Sequence, residues 1–177
     1  MDSSLAFRAA TLDDVDAVVA LVERCYRGEA SRAGWTTEAD LLGGQRTDRD
    51  EVRTLVVGPT TQIVLAHRGA ELVGCVLVKD EGEGAYLGML SVSPGLQSGG
   101  LGRAILEEAE RVARDELGRG TMRMRVFVQR APLIAWYERR GYRRTGETEA
   151  FPYGDPRFGE PKRDDLVFEV LRKDLGR

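Results

Sequence analysis

A glycine-rich segment at residues 97–103, Gln-Ser-Gly-Gly-Leu-Gly-Arg, has the composition of a phosphate-binding turn. It follows an apolar run that ends at Val92 and precedes apolar residues at helical spacing, so it is predicted to join a strand to a helix. Amides at such a turn point outward together at the positive end of the helix dipole, and glycine lets the backbone approach a phosphate closely. The segment therefore predicts a site for a phosphorylated ligand.

Two familiar phosphate loops do not match this segment. Gly95 and Gly100 fit the start of a Walker A loop, but Leu101 and Gly102 stand where that loop needs its Lys and its Ser or Thr. Gly100 and Gly102 begin a dinucleotide fingerprint, yet the third glycine would fall at Ile105. Nucleoside triphosphate hydrolysis and a nicotinamide or flavin cofactor are disfavoured, and the turn alone leaves a purely structural helix start open.

Two motifs together resemble the GCN5-related N-acetyltransferases (GNAT). The family pattern Gln/Arg-x-x-Gly-x-Gly/Ala is complete at residues 97–102. A later helix and strand start, usually Tyr-Glu followed by Gly-Phe or Gly-Tyr, is matched by Tyr137-Glu138 and Gly141-Tyr142. The element order is similar along the whole chain, and the specific motifs cover residues 86–142. The resemblance implies one α/β domain over residues 1–177, with a mixed, mostly antiparallel sheet, flanking helices and a splayed central strand pair.

The resemblance also implies acetyl-CoA as the co-substrate and assigns residues to it. Main-chain groups at residues 90–92 would hold the pantetheine arm, amides at 97–103 would hold the pyrophosphate, and an amide on the first strand would polarise the thioester carbonyl. The implied cofactor-binding residues are Leu90, Ser91, Val92, Gln97, Ser98, Gly99, Gly100, Leu101, Gly102 and Arg103. The implied catalytic residue is Tyr137, as the acid for the departing thiolate, because a phenol with a pKa near roughly 10 stays protonated at neutral pH. A helix tyrosine that only packs on the sheet is the alternative.

Two arginines depart from the family pattern on the acceptor side. Arg130 stands where many members have an asparagine, and Arg125 stands where N-terminal acetyltransferases of the bacterial ribosomal type have a glutamate. An attacking amine must lose its proton, so a base or a water chain has to come from elsewhere. Glu81, Glu83 or an acid within residues 28–53 are the candidates, each also readable as a solvated charge.

The resemblance implies that residues 28–53 and 149–165 flank the acceptor, because in that fold the segment after the first helix and the loop between the last two strands usually lie on the acceptor side. We expect Trp35, Arg46 and Tyr153 to bind the substrate, since aromatic groups beside fixed charges suit a polar small molecule, for instance one with an amine and a carboxylate. The alternative is that Trp35 caps the core and Arg46 pairs with a nearby acid such as Asp48.

The elements that position these residues follow from periodicity. The sequence predicts a strand at 6–9, a helix from a capping box of Thr11 and Asp14 through Val22, and a short helix at 51–57. An antiparallel meander is predicted at 62–66, 72–78 and 86–92, and helix 100–117 then leads to strand 122–128, which should lie parallel to the strand at 86–92. A helix at 132–140 and a closing strand pair at 142–148 and 166–171 complete the order.

Composition limits the partners. Lys and Arg number 26 against 29 Asp and Glu, a formal net charge of −3, so no global field draws the protein to nucleic acid or an anionic membrane. No apolar run reaches the roughly 18 residues of a membrane span, residues 1–4 do not open a signal peptide, and a cytoplasmic location is expected. No metal-ligand spacing occurs, and Cys25 and Cys75 are expected to be packing thiols.

These observations predict an acetyl-CoA-dependent N-acetyltransferase acting on the primary amine of a small polar metabolite. A protein lysine or N-terminal acetyltransferase and a non-catalytic acyl-CoA sensor remain as alternatives. A homodimer also remains open.

Overall fold

The chain begins with a strand, a capped turn and a helix, as the sequence predicts. A computed structural model describes residues 4–176. Residues 1–3 and residue 177 lie outside the described range, and so does most of the segment on which the signal-peptide expectation was based. Strand β1 (Leu5–Ala9) is followed by the capping box, in which the Thr11 amide donates to Asp14 Oδ2 at 2.8 Å. Helix α1 (Val15–Tyr26) then buries one face on the sheet.

The segment at 28–53 is more ordered than the sequence suggests. It contains the short helix α2 (Gly28–Ser31), the two-residue strand β2 (Leu42–Gly43) and the start of helix α3 (Arg49–Val57), which begins two residues before the predicted position. Asp48 caps α3, since its Oδ1 accepts from the Glu51 amide at 2.8 Å. The short helix predicted at 51–57 is therefore confirmed and begins earlier than predicted.

A seven-stranded sheet forms the centre, in the order β1-β3-β4-β5-β6-β9-β7. Its strands after β1 are β3 (Thr61–Arg68), β4 (Glu71–Asp80), β5 (Ala85–Val92), β6 (Thr121–Phe127), β7 (Arg143–Ala150) and β9 (Val167–Asp174). All neighbours are antiparallel except β5 and β6, which are parallel. The predicted meander, crossover and closing pair are confirmed, and the mixed, mostly antiparallel sheet is the GNAT arrangement. A second, two-stranded sheet, in which β2 pairs with β8 (Glu160–Pro161), was not predicted.

The two central strands separate soon after they meet. Strand β5 pairs with β6 only at Ala85 with Met122 and at Tyr86 with Arg123. Further along, β5 carries a bulge, because the register with β4 shifts and Met89 takes a positive φ of 53°. The bulge turns the second half of β5 away from β6 and leaves a cleft between the strands.

Helices flank both ends of this cleft. Helix α4 (Leu101–Arg111) begins at the glycine-rich turn, and helix α5 (Ala131–Glu138) follows β6. The predicted helix at 100–117 is partly wrong, since its last turn, Val112–Glu116, winds as a π-helix. The strand predicted to start at residue 142 begins one residue later, because the Tyr142 amide still donates to the Tyr137 carbonyl at 3.2 Å.

Apolar side chains fill both faces of the sheet. One face carries α4 and α5 over a cluster that includes Ile105, Met122 and Tyr137, and the other carries α1 and α3. Cys25 and Cys75 belong to this second cluster and are buried free thiols. Among the described residues, no helix is long and apolar enough to cross a membrane.

Candidate active site

The cleft between β5 and β6 runs from the glycine-rich turn to the end of α1. Residues from α1, the 34–36 segment, β5, the turn and α5 form its walls. These residues are Cys25, Tyr26, Trp35, Thr36, Leu90, Val92, Gln97, Gly102, Arg130, Leu133, Trp136 and Tyr137. Motif residues that are distant in sequence therefore line one cavity.

The glycine-rich turn presents open backbone. Gly100 caps α4 with a positive φ of 75°, and the Ala104 amide donates to the Gly100 carbonyl at 3.1 Å. The amides of Leu101, Gly102 and Arg103 precede that bond and have no carbonyl partner one helical turn back. A Cβ added at Gly99 or Gly100 would meet no atom within 4 Å, so the space above the turn is free for a phosphate. The open amides at this helix start could hold a phosphate group.

Gln97 joins the turn to the acceptor-side segment. Its Oε1 accepts from the Trp35 amide, and its Nε2 donates to the Val92 carbonyl at 3.2 Å. Gly34 packs against the same amide group, since a Cβ there would lie 2.8 Å from Oε1. This is a role that the sequence pattern did not predict for Gln97.

Strand β5 turns carbonyl groups toward the neighbouring walls of the cleft. The Leu90 carbonyl accepts from the Tyr26 hydroxyl at 2.8 Å, and the Val92 carbonyl accepts from Cys25 Sγ at 3.2 Å. Ser91 is different, because it is buried and its hydroxyl donates to the Met89 carbonyl. Leu90 and Val92 line the cleft, whereas the side chain of Ser91 faces away from it.

Tyr137 is a buried tyrosine with an uncommitted hydroxyl. Its ring makes edge contacts with Trp136 and Tyr142, at centroid distances of 5.1 and 5.7 Å. No hydrogen bond joins its hydroxyl to another residue in the 4–176 range, although Tyr137 is only 4% exposed. Burial raises the pKa of Tyr137, and the charge of Arg130 opposes this effect without cancelling it. The phenol is therefore protonated across the physiological range.

Arg130, which replaces the usual asparagine, enters an ion cluster. Its Nη1 donates to Glu38 Oε1 at 3.0 Å and its Nη2 to Thr36 Oγ1 at 2.9 Å. Arg27 Nη1 donates to the other Glu38 oxygen at 2.7 Å. Burial alone would raise the pKa of Glu38, but the charges of Arg130, Arg27 and Arg46 outweigh it and hold the pKa below its ordinary value. Glu38 is thus a poor proton acceptor.

The other candidate bases are also committed or remote. Glu81 binds Arg123 through both oxygens, at 2.6 and 2.9 Å, and Glu83 is exposed on the turn before β5. Arg125, where related enzymes have a glutamate, donates to Glu149 at 2.9 Å. The structure does not bring a free carboxylate from this set to the cleft.

The three residues predicted to bind substrate are placed differently. Trp35 lines the cleft and is 53% exposed. The Arg46 guanidinium lies 5.1 Å from the centre of the Tyr26 ring, beside the cleft. Tyr153 is held within its own loop, where its hydroxyl donates to the Arg163 carbonyl and accepts from the Leu166 amide.

Two side chains of the site were not identified from the sequence. Tyr26 and Arg27 end α1, directly before the polar segment at 28–53, and both contact the cleft or its ion cluster. Their position at the end of a helix, directly before a predicted acceptor loop, is the feature of the sequence that could have identified them as site residues. Within the described residues, no group of three or more His, Cys, Asp or Glu side chains could hold a metal ion.

Known proteins resemble the chain over most of its length. An "IAA acetyltransferase" from Azospirillum brasilense is 30% identical over 144 residues, which cover 80% of this chain and 86% of that protein. The ribosomal-protein-S18-alanine N-acetyltransferase of Escherichia coli superposes with a TM-score of 0.72 at 16% identity, covering 98% and 96% of the two chains. The PaiA N-acetyltransferase of Thermoplasma acidophilum, solved with coenzyme A, gives 0.68 at 14%, covering 97% and 99%.

The family model of the acetyltransferase (GNAT) family matches residues 16–142. That range includes α1, the cleft, the glycine-rich turn and Tyr137, so the match covers the elements that form the site. The chain therefore belongs to the GNAT family of acetyltransferases.

Proposed function

We propose that this enzyme transfers the acetyl group of acetyl-CoA to the primary amine of a small polar metabolite by direct attack. One observation carries the proposal. Strands β5 and β6 diverge after Tyr86 and Arg123, and the resulting cleft connects the phosphate-binding turn to an acceptor side bordered by α1. Acetyl-CoA would enter the cleft from the turn, and the acceptor amine would reach its thioester from the opposite end.

The donor is assigned to the turn and to β5. Amides at residues 97–103 would bind the pyrophosphate, and the main chain of β5 at residues 90–92 would hold the pantetheine arm. Gly99 and Gly100 support this assignment because their open Cβ positions leave room for a phosphate. The Val92 carbonyl could exchange its bond with Gln97 for one with a pantetheine amide.

The chemistry needs one attack and two proton transfers. The neutral amine nitrogen attacks the thioester carbon, the carbon–sulfur bond breaks, and the departing thiolate is protonated. Tyr137 is proposed as the proton donor, since its hydroxyl has no other described partner and lies on the cleft wall with Leu90 and Val92. The proton lost by the amine passes to solvent, because the candidate carboxylates are committed elsewhere.

A small acceptor is favoured over a protein by the way that the two acceptor loops are joined. Strand β2 pairs with β8, the Lys162 amide donates to the Leu41 carbonyl at 2.9 Å, and Lys162 Nζ donates to the Ala39 carbonyl at 2.6 Å. These contacts tie residues 28–53 to residues 149–165 on one side of the cleft. A fixed wall suits a small ligand better than an extended peptide.

A screen for acetyl transfer tests the proposal. Purified enzyme is mixed with acetyl-CoA and either small primary amines or peptides with free N-termini and lysines, and free thiol is measured. The proposal expects thiol release with small amines and an acetylated product by mass spectrometry. Transfer to peptides alone would indicate a protein acetyltransferase, and tight CoA binding with no transfer would indicate a sensor.

A further inference from the structure

Three arginines meet on the acceptor side of the cleft. Arg27, Arg46 and Arg130 act on the carboxylate of Glu38, and both Arg27 and Arg130 bind it directly. The side chains of Arg27, Arg130 and Glu38 are each no more than 10% exposed. Both Glu38 oxygens are occupied by Arg27 and Arg130, so Glu38 acts on Arg46 only at a distance, as Glu51 does.

The neighbouring arginines show what a compensated site looks like. Arg123 pairs with Glu81 and Glu149, and Arg125 pairs with Glu149 at 2.9 Å. These two arginines and two carboxylates balance. Arg123 and Arg125 thus each have a carboxylate partner, which Arg46 lacks among the described residues.

Arg46 is the member of that cluster without a polar partner. Its guanidinium is half-buried over the Tyr26 ring and makes no hydrogen bond or ion pair with any residue between 4 and 176. The nearest acids serve other groups. Glu23 Oε1 accepts from the amides of Arg46 and Thr47, and Glu51 Oε2 accepts from the Thr47 hydroxyl.

Arg130 adds a second incomplete donor on the cleft wall. Its Nε is buried and has no hydrogen-bond partner among the described residues, although both of its Nη atoms are occupied. Its guanidinium lies 6.0 Å from the same Tyr26 ring that Arg46 covers. An anion beside this ring would therefore be attracted by the charges of both arginines.

We propose that the acceptor amine carries a carboxylate and that Arg46 binds it. This rests on the acetyl transfer proposed above and names the class of its acceptor, an amino-acid-like primary amine. Arg46 offers a planar, unused fork of donors, which matches a carboxylate in two-point geometry. The aromatic face of Tyr26 fixes that fork beside the cleft.

The same charge acts on the attacking nitrogen. Positive charge near an ammonium lowers its pKa, so the bound acceptor loses its proton more readily than in water. This supplies part of what a general base would do. It also opposes a polyamine, whose several ammonium groups would meet the charges of Arg46 and Arg130.

Matched substrate pairs test this proposal. We would measure kcat/KM for amino acids, for their primary amides, in which the carboxylate alone is neutralised, and for spermidine, at saturating acetyl-CoA. The variants are Arg46→Gln and Arg46→Lys. The control is Arg49→Gln, three residues away, exposed and paired only with Asp16.

The proposal expects wild-type enzyme to prefer the acid over its amide by about tenfold or more, through KM. Arg46→Gln should reduce that preference to below about threefold and leave the KM for acetyl-CoA unchanged. Arg46→Lys should restore part of the preference. Arg49→Gln should match wild type.

Two results would overturn it in distinguishable ways. Equal use of acids, amides and spermidine by wild type, or an unchanged acid preference in Arg46→Gln, would remove the carboxylate site while leaving acetyl transfer intact. Failure to acetylate any amine in the panel, despite acetyl-CoA binding, would remove the proposed function and this inference together.

Discussion

The most direct test of the chemistry removes one oxygen atom. Tyr137→Phe deletes the hydroxyl proposed to protonate the thiolate and keeps the ring that packs on Trp136 and Tyr142. The hydroxyl has no hydrogen-bond partner among the described residues, so its loss leaves no buried polar group without a partner. The free energy of unfolding should therefore change by less than about 0.5 kcal/mol.

The expected loss of turnover follows from the environment of the phenol. General acid catalysis contributes roughly 10²–10⁴ in rate. Burial raises the pKa of Tyr137 above that of a thiol, so complete proton transfer to the thiolate is uphill and the benefit lies near the lower limit. We expect kcat to fall about 100-fold, which is about 2.7 kcal/mol in the barrier, with an unchanged KM for acetyl-CoA.

Tyr142→Phe is the matched control. Its hydroxyl donates to the buried carboxylate of Glu110 at 3.0 Å, so its removal should cost about 1.5–3 kcal/mol of stability and lower Tm by about 3–12 °C while kcat is kept. Saturating thiol-release kinetics and thermal unfolding measure both variants. If turnover of Tyr137→Phe stays within about twofold of wild type, Tyr137 is a packing residue and the acid role is wrong.

Three further outcomes are expected. Gly100→Ala should weaken CoA binding in calorimetry, because the new Cβ enters the open space proposed for the phosphate. Gly118→Ala, with a similar φ of 67° and equally open surroundings, should lose only the same backbone stability of about 1–2 kcal/mol. Equal CoA affinity in both variants would contradict the phosphate site. Burial raises the pKa of Cys25 to about 11 and that of Cys75 to about 12, so mass spectrometry should find both thiols unalkylated by iodoacetamide at pH 8 until the protein unfolds. Their contribution to stability is complete below the unfolded thiol pKa of roughly 8.5 and declines as pH rises toward 11. Rapid labelling of the native protein would refute the burial of these thiols. Gln97→Ala removes the link between the Trp35 amide and the Val92 carbonyl, so hydrogen exchange at Trp35 should accelerate by about tenfold, and unchanged protection would show that the 34–36 segment is held by other contacts.

The sequence by itself determined most of the order of elements and the glycine-rich turn. Glycines at fixed spacing after an apolar run can cap a helix and admit a phosphate wherever the rest of the chain lies, so the turn at 97–103 was predictable from local chemistry. The crossover from β5 to β6 was predictable for a similar reason, since a strand, a helix that runs back along the sheet and a second strand favour a parallel pair. Local rules of this kind need no knowledge of distant residues.

The tertiary structure decided the acceptor side. Nothing in the spacing of Arg27, Glu38 and Arg130 shows that two arginines share one buried carboxylate, because these residues come from three separate segments. The bulge at Met89 and the pairing of β2 with β8 likewise depend on contacts between strands far apart in sequence. Whether a guanidinium has a partner depends on which side chains the fold brings beside it, so the lack of a polar partner for Arg46 among residues 4–176 became visible only in the assembled structure.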